Sequence, residues 1–340
     1  MTNQQRQHGV LVVAEAGVNH NGSLELGRRL VEAAAEAGSD VVKFQTFRAD
    51  ALATSTVPKA AYQESNDKAP TQLEMLRRLE LSDNDHDALI EHCREHGIEF
   101  LSTAFDRASV EVLRCRGMHR WKVSSCDITN LPHLRLIGSF GQEVILSSGM
   151  AELEEVVQAV AVLERSGTGR SSITVLHCST AYPTPMREVN LRAIKTLGRR
   201  LPGVQIGYSD HTIGIEVAIA ATACGARVIE KHLTLDRTLP GPDHQASLEP
   251  DEFSSMVQGI RHIEAALGDG LKRPMPAELE NRNVARRSLV AARDISAGET
   301  FTAENLAIKR PGNGVSPMLW DEYLGRVTQR SYQRDDLIDA

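Results

Sequence analysis

Residues 204–232, VQIGYSDHTIGIEVAIAATACGARVIEKH, carry two short strand-like runs, 204–209 and 227–232, around a stretch of helical period. Two parallel strands need a crossover of a dozen or more residues, and a helix is the usual one. The stretch therefore reads as a βαβ unit. Outward from it the alternation recurs, with further strand candidates at 11–16, 40–45, 99–103, 120–124, 143–147 and 173–178. Eight units in roughly 250 residues match the size of a closed (β/α)₈ TIM barrel, an α/β fold; counting leaves a doubly wound open sheet as the alternative. Ser23 and Ser82 stand before helical stretches as caps, and Gly38 and Gly97 close them.

The connection at 48–78 is too long for an ordinary loop and is expected to cover one end of the barrel. Residues 269–283 hold prolines and mixed charge and read as a linker. Beyond them, short strands and glycine turns predict a small, mostly β domain. The expected division is 1–268, 269–283 and 284–340.

With 340 residues, 41% hydrophobic and 24% charged, the chain sustains one large core and a smaller unit. Its net charge of -7 offers no basic field for nucleic acid. The start, MTNQQRQHGV, lacks the apolar core of a signal peptide, and no stretch approaches the roughly 20 apolar residues of a membrane span. A cytoplasmic protein is expected. Its five cysteines (Cys93, Cys115, Cys126, Cys178, Cys224) form no CxxC pair and are expected to be reduced and mostly buried.

In barrel enzymes the chemistry sits at the carboxyl ends of the strands. Here those ends carry Glu15; Lys43 and Gln45; Ser102 and Thr103; Lys122, Ser124, Ser125 and Asp127; Ser147 and Ser148; His177, Ser179 and Thr180; Ser209, Asp210 and His211; and Glu230 and His232. Lys43 and Lys122 fall inside apolar runs, where an ammonium needs a permanent anion. That anion is either a bound phosphate and carboxylate, with the hydroxyls as donors, or a protein carboxylate such as Glu15 or Asp127. His211 and His232 end adjacent strands and suit one divalent ion with open positions, with His20, His177 and His244 as competing ligands and a structural histidine pair as the plainer reading. Asp243, in GPDHQASLEP, is a candidate contact for a sugar hydroxyl or a metal-bound water.

The stretches EAGVNHNGS from Glu15, KFQTF from Lys43, STAFD from Ser102, LSSGM from Leu146, HCSTAYPTP from His177, GYSDHT from Gly207 and EKHLTLD from Glu230 resemble the bacterial sialic acid (nonulosonic acid) synthases. RPGNG from Arg310 resembles the antifreeze-like (SAF) domain joined to them. The resemblance implies a barrel enzyme that condenses phosphoenolpyruvate with an N-acylated mannosamine-type sugar, using Mn²⁺ (or Mg²⁺ or Co²⁺). Attack by C3 of phosphoenolpyruvate on the open-chain aldehyde is followed by water addition at C2 and loss of phosphate with C–O cleavage. By the same resemblance His211 and His232 hold the metal. Lys43, Thr103, Lys122, Ser125, Ser147, Thr180 and Ser209 contact phosphoenolpyruvate, and Glu15, Gln45, Tyr182 and Asp243 serve the sugar and metal-bound water. Arg310 of one subunit holds the N-acyl group in its partner's barrel, which makes a domain-swapped homodimer.

Where many members read SGE, this chain has Ser125, Cys126 and Asp127, and Ala104 stands in place of a proline. Cys126 adds bulk where glycine gave room. Thr180 stands where some N-acetylneuraminate synthases have asparagine, and the AYQ around Tyr62 resembles the legionaminic acid branch. The acceptor is then N-acetylmannosamine or its 2,4-diacetamido-2,4,6-trideoxy relative. Two other readings compete. A non-catalytic carbohydrate or ice binder needs no buried lysines, and a metal-dependent barrel hydrolase needs a further metal ligand.

Overall fold

The computed structural model describes residues 9–339; residues 1–8 and 340, and the side chains at 61, 62 and 65, lie outside the described residues. The start of the chain and the Tyr62 side chain fall in that group. Eight parallel strands, β1 (Leu11–Gly17), β2 (Val41–Thr46), β3 (Glu99–Ala104), β4 (Arg120–Val123), β5 (Glu143–Ser147), β6 (Ile173–Cys178), β7 (Gln205–Asp210) and β8 (Val228–His232), pair in chain order. β8 returns to β1, with Leu11 opposite Val228 and Glu15 opposite His232, so the sheet is a closed barrel and the open alternative falls.

The helices are α1 (Leu24–Glu36), α2 (Ala49–Leu52), α3 (Ala61–Asn66), α4 (Gln72–Leu79), α5 (Asp83–Glu95), α6 (Arg107–Cys115), α7 (Leu131–Gly138), α8 (Leu153–Ser166), α9 (Arg192–Arg200), α10 (Glu216–Ala223) and α11 (Pro250–Leu267). α1 shows how they form. The Ser23 hydroxyl accepts from the Leu26 amide at 3.3 Å, a cap worth about 1 kcal/mol. Leu30, Val31 and Ala34 then recur on one face and are fully buried. Gly38, at φ +81°, turns the chain toward β2. The main core lies between barrel and helices, where Phe44 and Trp121 have no exposure.

Residues 48–78 are folded into α2, α3 and most of α4 rather than left as loop. Met75 and Leu79 of α4 pack with Val18 and Phe47 in a separate apolar cluster. The expectation of mostly buried cysteines is corrected: Cys93 and Cys178 are buried, Cys224 is half-buried, and Cys115 and Cys126 are exposed. Cys115 ends α6, and Cys126 sits on a short 3₁₀ turn, Ser125–Asp127, just past β4. All five are free thiols.

The chain divides into two compact units, one ending at Gly268 and the other beginning at Asp269. In the second, the stretch read as linker holds a 3₁₀ turn, Pro276–Glu278, which runs into α12 (Leu279–Ala285). Strands β9 (Ser288–Ala291) and β10 (Leu306–Lys309) pair antiparallel, and Leu289, Ile295, Phe301 and Tyr332 form a core of their own. No helix among the described residues is long and apolar enough to cross a membrane.

Candidate active site at the carboxyl end of the barrel

Successive side chains of a strand point to opposite faces, so each strand end sends alternate residues inward. Glu15, Lys43, Gln45, Thr103, Lys122, Ser209, His211, Glu230 and His232 line one cavity of about 430 Å³, with Ser125, Thr180, Tyr182 and Asp243 from the following loops. Their alternates in the strand-end ring do other work. Ser102 bonds Thr46, whose hydroxyl also meets His86 Nε2 at 2.8 Å. Ser148 donates to the Leu176 carbonyl. Asp210 pairs with Lys231 at 2.8 Å, both without exposure.

The buried lysines find protein carboxylates. Lys43 Nζ makes a close ion pair with Glu15, lies 3.7 Å from Glu230 Oε2, and donates to Thr103 Oγ1 at 3.1 Å. Lys122 Nζ donates to Ser147 Oγ at 2.7 Å and lies 3.4 Å from Glu230 Oε1. Asp127, considered above as its partner, instead accepts from Asn130 and Ser124 on its own turn. Glu230 also accepts from the Ser209 hydroxyl at 2.9 Å, and Gln45 donates to Glu15 at 3.3 Å. The carboxylate between the two lysines was thus present in the strand-end ring but given no role there. The signal for it was spacing, because Glu230 and His232 are two apart on one strand and must face the same way.

Burial shapes the protonation of these groups. It opposes the charge on Glu230, but the Lys122 and Lys43 ammoniums outweigh it and hold the carboxyl down at about 2. Burial lowers Lys122. It raises Glu15, with Lys43 pulling the other way. Asp243 is pushed up to about 7 by burial and by the nearby Glu15 charge. His211 is lowered to about 4 and His232 well below its usual value, both chiefly by burial. The two imidazoles are therefore neutral at pH 7, the form a metal needs.

His211 and His232 stand with ring centroids 5.4 Å apart, and the Tyr182 ring packs 4.1 Å from His211. His211 Nδ1 donates to the Ser179 carbonyl at 2.5 Å, which leaves Nε2 with its lone pair. His232 Nδ1 is buried without a hydrogen-bond partner. A neutral histidine pair with one oriented ring and one orphaned nitrogen fits a divalent cation. The competing histidines do not join it: His177 meets the Val189 carbonyl at 2.8 Å, His244 meets Thr234 at 2.7 Å, His20 Nδ1 accepts from Gly22, and none of the three lines the cavity. Nor, among the described residues, does a third His, Cys, Asp or Glu gather with His211 and His232.

Ser125 Oγ accepts from the Gly149 amide at 3.0 Å and lies 3.3 Å from Cys178 Sγ. A Cβ at Gly149 would meet Thr180 Cγ2 at 2.6 Å and Ser125 Oγ at 2.9 Å, so the loop after β5 requires glycine there. Cys126 lines the cavity without closing it. Ser147 stands behind Lys122 rather than on the cavity wall, and Arg310 is exposed in the second unit. A different wall is apolar: Val18, Leu52, Met75, Leu76, Leu79 and Phe105, with the amides of Gln63 and Gln72 beside them.

The chain is 47% identical to the N,N'-diacetyllegionaminic acid synthase of Campylobacter jejuni over 331 residues, covering 96% of this chain and 98% of that one. The synthase of the same description from Legionella pneumophila is also 47% identical, over 90% of this chain and 86% of its own. Among solved structures, the N-acetylneuraminic acid (sialic acid) synthetase of Leptospira borgpetersenii, in complex with citrate, superposes with a TM-score of 0.72 at 34% identity, covering 80% of this chain and 90% of that one. The SAF domain model matches residues 286–340. The NeuB family model matches residues 30–272, most of the barrel that carries this cavity, and the chain belongs to that family.

Proposed function

We propose that the protein condenses phosphoenolpyruvate with 2,4-diacetamido-2,4,6-trideoxymannose to give N,N'-diacetyllegionaminate and phosphate. The observation that carries the reading is the convergence of two buried lysines, two buried carboxylates, several hydroxyls and a neutral histidine pair on one cavity. A non-catalytic binder has no use for that inward charge, and a metal hydrolase has no use for a phosphate cradle.

Lys122, Ser125, Ser147, Thr180 and Ser209, with Lys43 and Thr103, receive the phosphate and carboxylate of phosphoenolpyruvate, Ser147 acting through Lys122. A divalent cation such as Mn²⁺, held by His211 and His232, supplies Lewis-acid polarisation of the sugar aldehyde when bound. The inner residues Lys43, Lys122, Glu15 and Glu230 sum to zero formal charge, so a polyanionic substrate favours such a cation. As C3 of phosphoenolpyruvate bonds to the aldehyde carbon, the aldehyde oxygen needs a proton. Asp243, pushed up to about 7 by burial and the Glu15 charge, is protonated in a sizeable fraction of molecules near neutral pH and serves as the donor. Water then adds at C2, giving one proton to Glu15, whose value burial has raised, and as the C–O bond to phosphate breaks the new C2 hydroxyl passes its proton to the departing phosphate and becomes the ketone carbonyl. Gln45 holds Glu15 in place, and Tyr182 packs the sugar against the histidine edge.

The choice of acceptor rests on two supports. Identity to the two legionaminic acid synthases is 47%, against 34% to the human N-acetylneuraminate-9-phosphate synthase. The apolar wall of Val18, Leu52, Met75, Leu76 and Leu79 suits the C6 methyl of a 6-deoxy sugar, whereas a hydroxymethyl set against those side chains would exchange water for apolar contact. The same reading assigns residues 1–268 to the synthase barrel, 269–283 to a linker and 284–340 to an SAF domain. It places the enzyme in the cytoplasm, where free thiols are the rule, as a domain-swapped homodimer whose Arg310 holds the acceptor's N-acyl group in the partner's cavity.

Phosphate release from phosphoenolpyruvate with Mn²⁺ tests the proposal. The diacetamido sugar is expected to exceed N-acetylmannosamine at least tenfold in kcat/KM, about 1.4 kcal/mol. Preference for N-acetylmannosamine overturns the acceptor, and release with neither overturns the synthase reading.

A further inference from the structure

On the outer wall of the barrel, far from any role in the condensation, α1 and α5 pack closely. A Cβ on Gly27 of α1 would lie 3.0 Å from Leu89 Cδ2 of α5, so the glycine lets the two helices approach. Toward their carboxyl ends the pair brings together Glu32 from α1 with His92 and His96 from the end of α5. One donor atom from each residue lies within 4.8 Å of the other two, the one such gathering of three His, Cys, Asp or Glu donors among the described residues.

The arrangement within it is that of a ligand set. His92 Nε2 points at Glu32 Oε1, 3.0 Å away. Its other nitrogen, Nδ1, faces Glu95 Oε2 at 3.5 Å, the carboxylate partner that orients a ligating imidazole from behind. His96 lies four residues on, on the same helix face, with its ring centroid 4.5 Å from that of His92. Both helices present their carboxyl ends here, where the unpaired carbonyls favour positive charge. His92 is partly sheltered, with a side-chain exposure of 15%, Glu32 is half-buried and His96 is exposed, so an ion can enter from the His96 side and keep water in its remaining positions. Helices of a βα barrel run against their strands, which puts this cluster toward the opposite end from the cavity.

We propose that Glu32, His92 and His96 form a second, exterior site for a divalent transition-metal ion, with Glu95 orienting His92. Two imidazoles and one carboxylate select Zn²⁺, Co²⁺ or Ni²⁺ over Mg²⁺ and Ca²⁺. The ion takes the place of the hydrogen bond between His92 and Glu32 and ties α1 to α5, adding stability without entering the reaction.

The full-length protein dialysed against Zn²⁺ at pH 7.5, followed by metal analysis, tests this. The double variant His92→Gln/His96→Gln is expected to hold one Zn²⁺ fewer per chain than wild type and to lose the part of the Zn²⁺-induced rise in Tm that the site provides. Its Mn²⁺-dependent phosphate release should stay within twofold of wild type. Equal zinc content in the two proteins overturns the site. Should the double variant fail to fold, Glu32→Gln is the second arm. A zinc affinity at least tenfold weaker than wild type at this site supports the proposal, and unchanged affinity overturns it.

Discussion

Glu230 stands between Lys43 and Lys122, and among the described residues its carboxylate is the one that lies within 4 Å of both ammoniums. Removing one partner of a buried ion pair leaves an uncompensated charge, at about 3–5 kcal/mol. Glu230→Gln is expected to lose stability on that scale in urea denaturation, and added phosphoenolpyruvate should stabilise the variant more than the wild type because it restores negative charge beside the lysines. A neutral effect in denaturation would show the lysines to be satisfied by Glu15, Ser147 and Thr103 alone. Asp243 makes a pH prediction. Its folded value of about 7 lies above the ordinary 3.8, so the stability its protonated form contributes is full below 3.8 and is lost as pH rises through 7. In metal-free protein, the Tm advantage of wild type over Asp243→Asn should therefore shrink between those limits. A flat difference across the window would mean that Asp243 titrates normally.

At the scale of elements, the ends of β7 and β8 carry the histidine pair, the ladder between the strands sets them side by side, and an ion pair behind them ties the ends together. Asp210 and Lys231 are opposite in register and wholly buried, and they alternate with the inward residues Ser209, His211, Glu230 and His232. Asp210 Oδ1 further accepts from the Thr212 amide and hydroxyl and from Tyr208, while Lys231 donates to the Thr212 carbonyl. Lys231→Met should cost about 3–5 kcal/mol by stranding Asp210, and Asp210→Asn in the same chain should recover at least half of it. Chemical denaturation of the wild type and of the two variants reads both. If the double variant is no better than the single one, the loss comes from packing of the lysine stem and not from charge.

For the whole molecule, the prediction concerns the second unit. Arg310 is exposed there, and in the proposed dimer it binds the acceptor's N-acyl group. A hydrogen bond from a charged group is worth about 1.5–3 kcal/mol, so Arg310→Ala should lower kcat/KM for the sugar roughly 10- to 100-fold and leave the KM for phosphoenolpyruvate unchanged. Equal loss for both substrates would point to general destabilisation, and no loss would place Arg310 outside the site.

Strand number, strand positions and the ring of polar strand ends were legible in the sequence, because the alternation of apolar runs with helical periods is a local property of the chain and barrel chemistry gathers at one end of it. The same holds for the caps at Ser23 and Ser82. Strand order and closure were legible only through the family resemblance and not from the periodicity, since the pairing of β1 with β8 joins residues more than 200 positions apart and leaves no local mark. The partners of charge were not legible. Lys122 chose Glu230 across the barrel over the nearby Asp127, because inward direction, and not distance along the chain, decides which buried charges meet. The meeting of Glu32 with His92 and His96 is of the same kind, made only when two helices 60 residues apart settle side by side on the closed sheet.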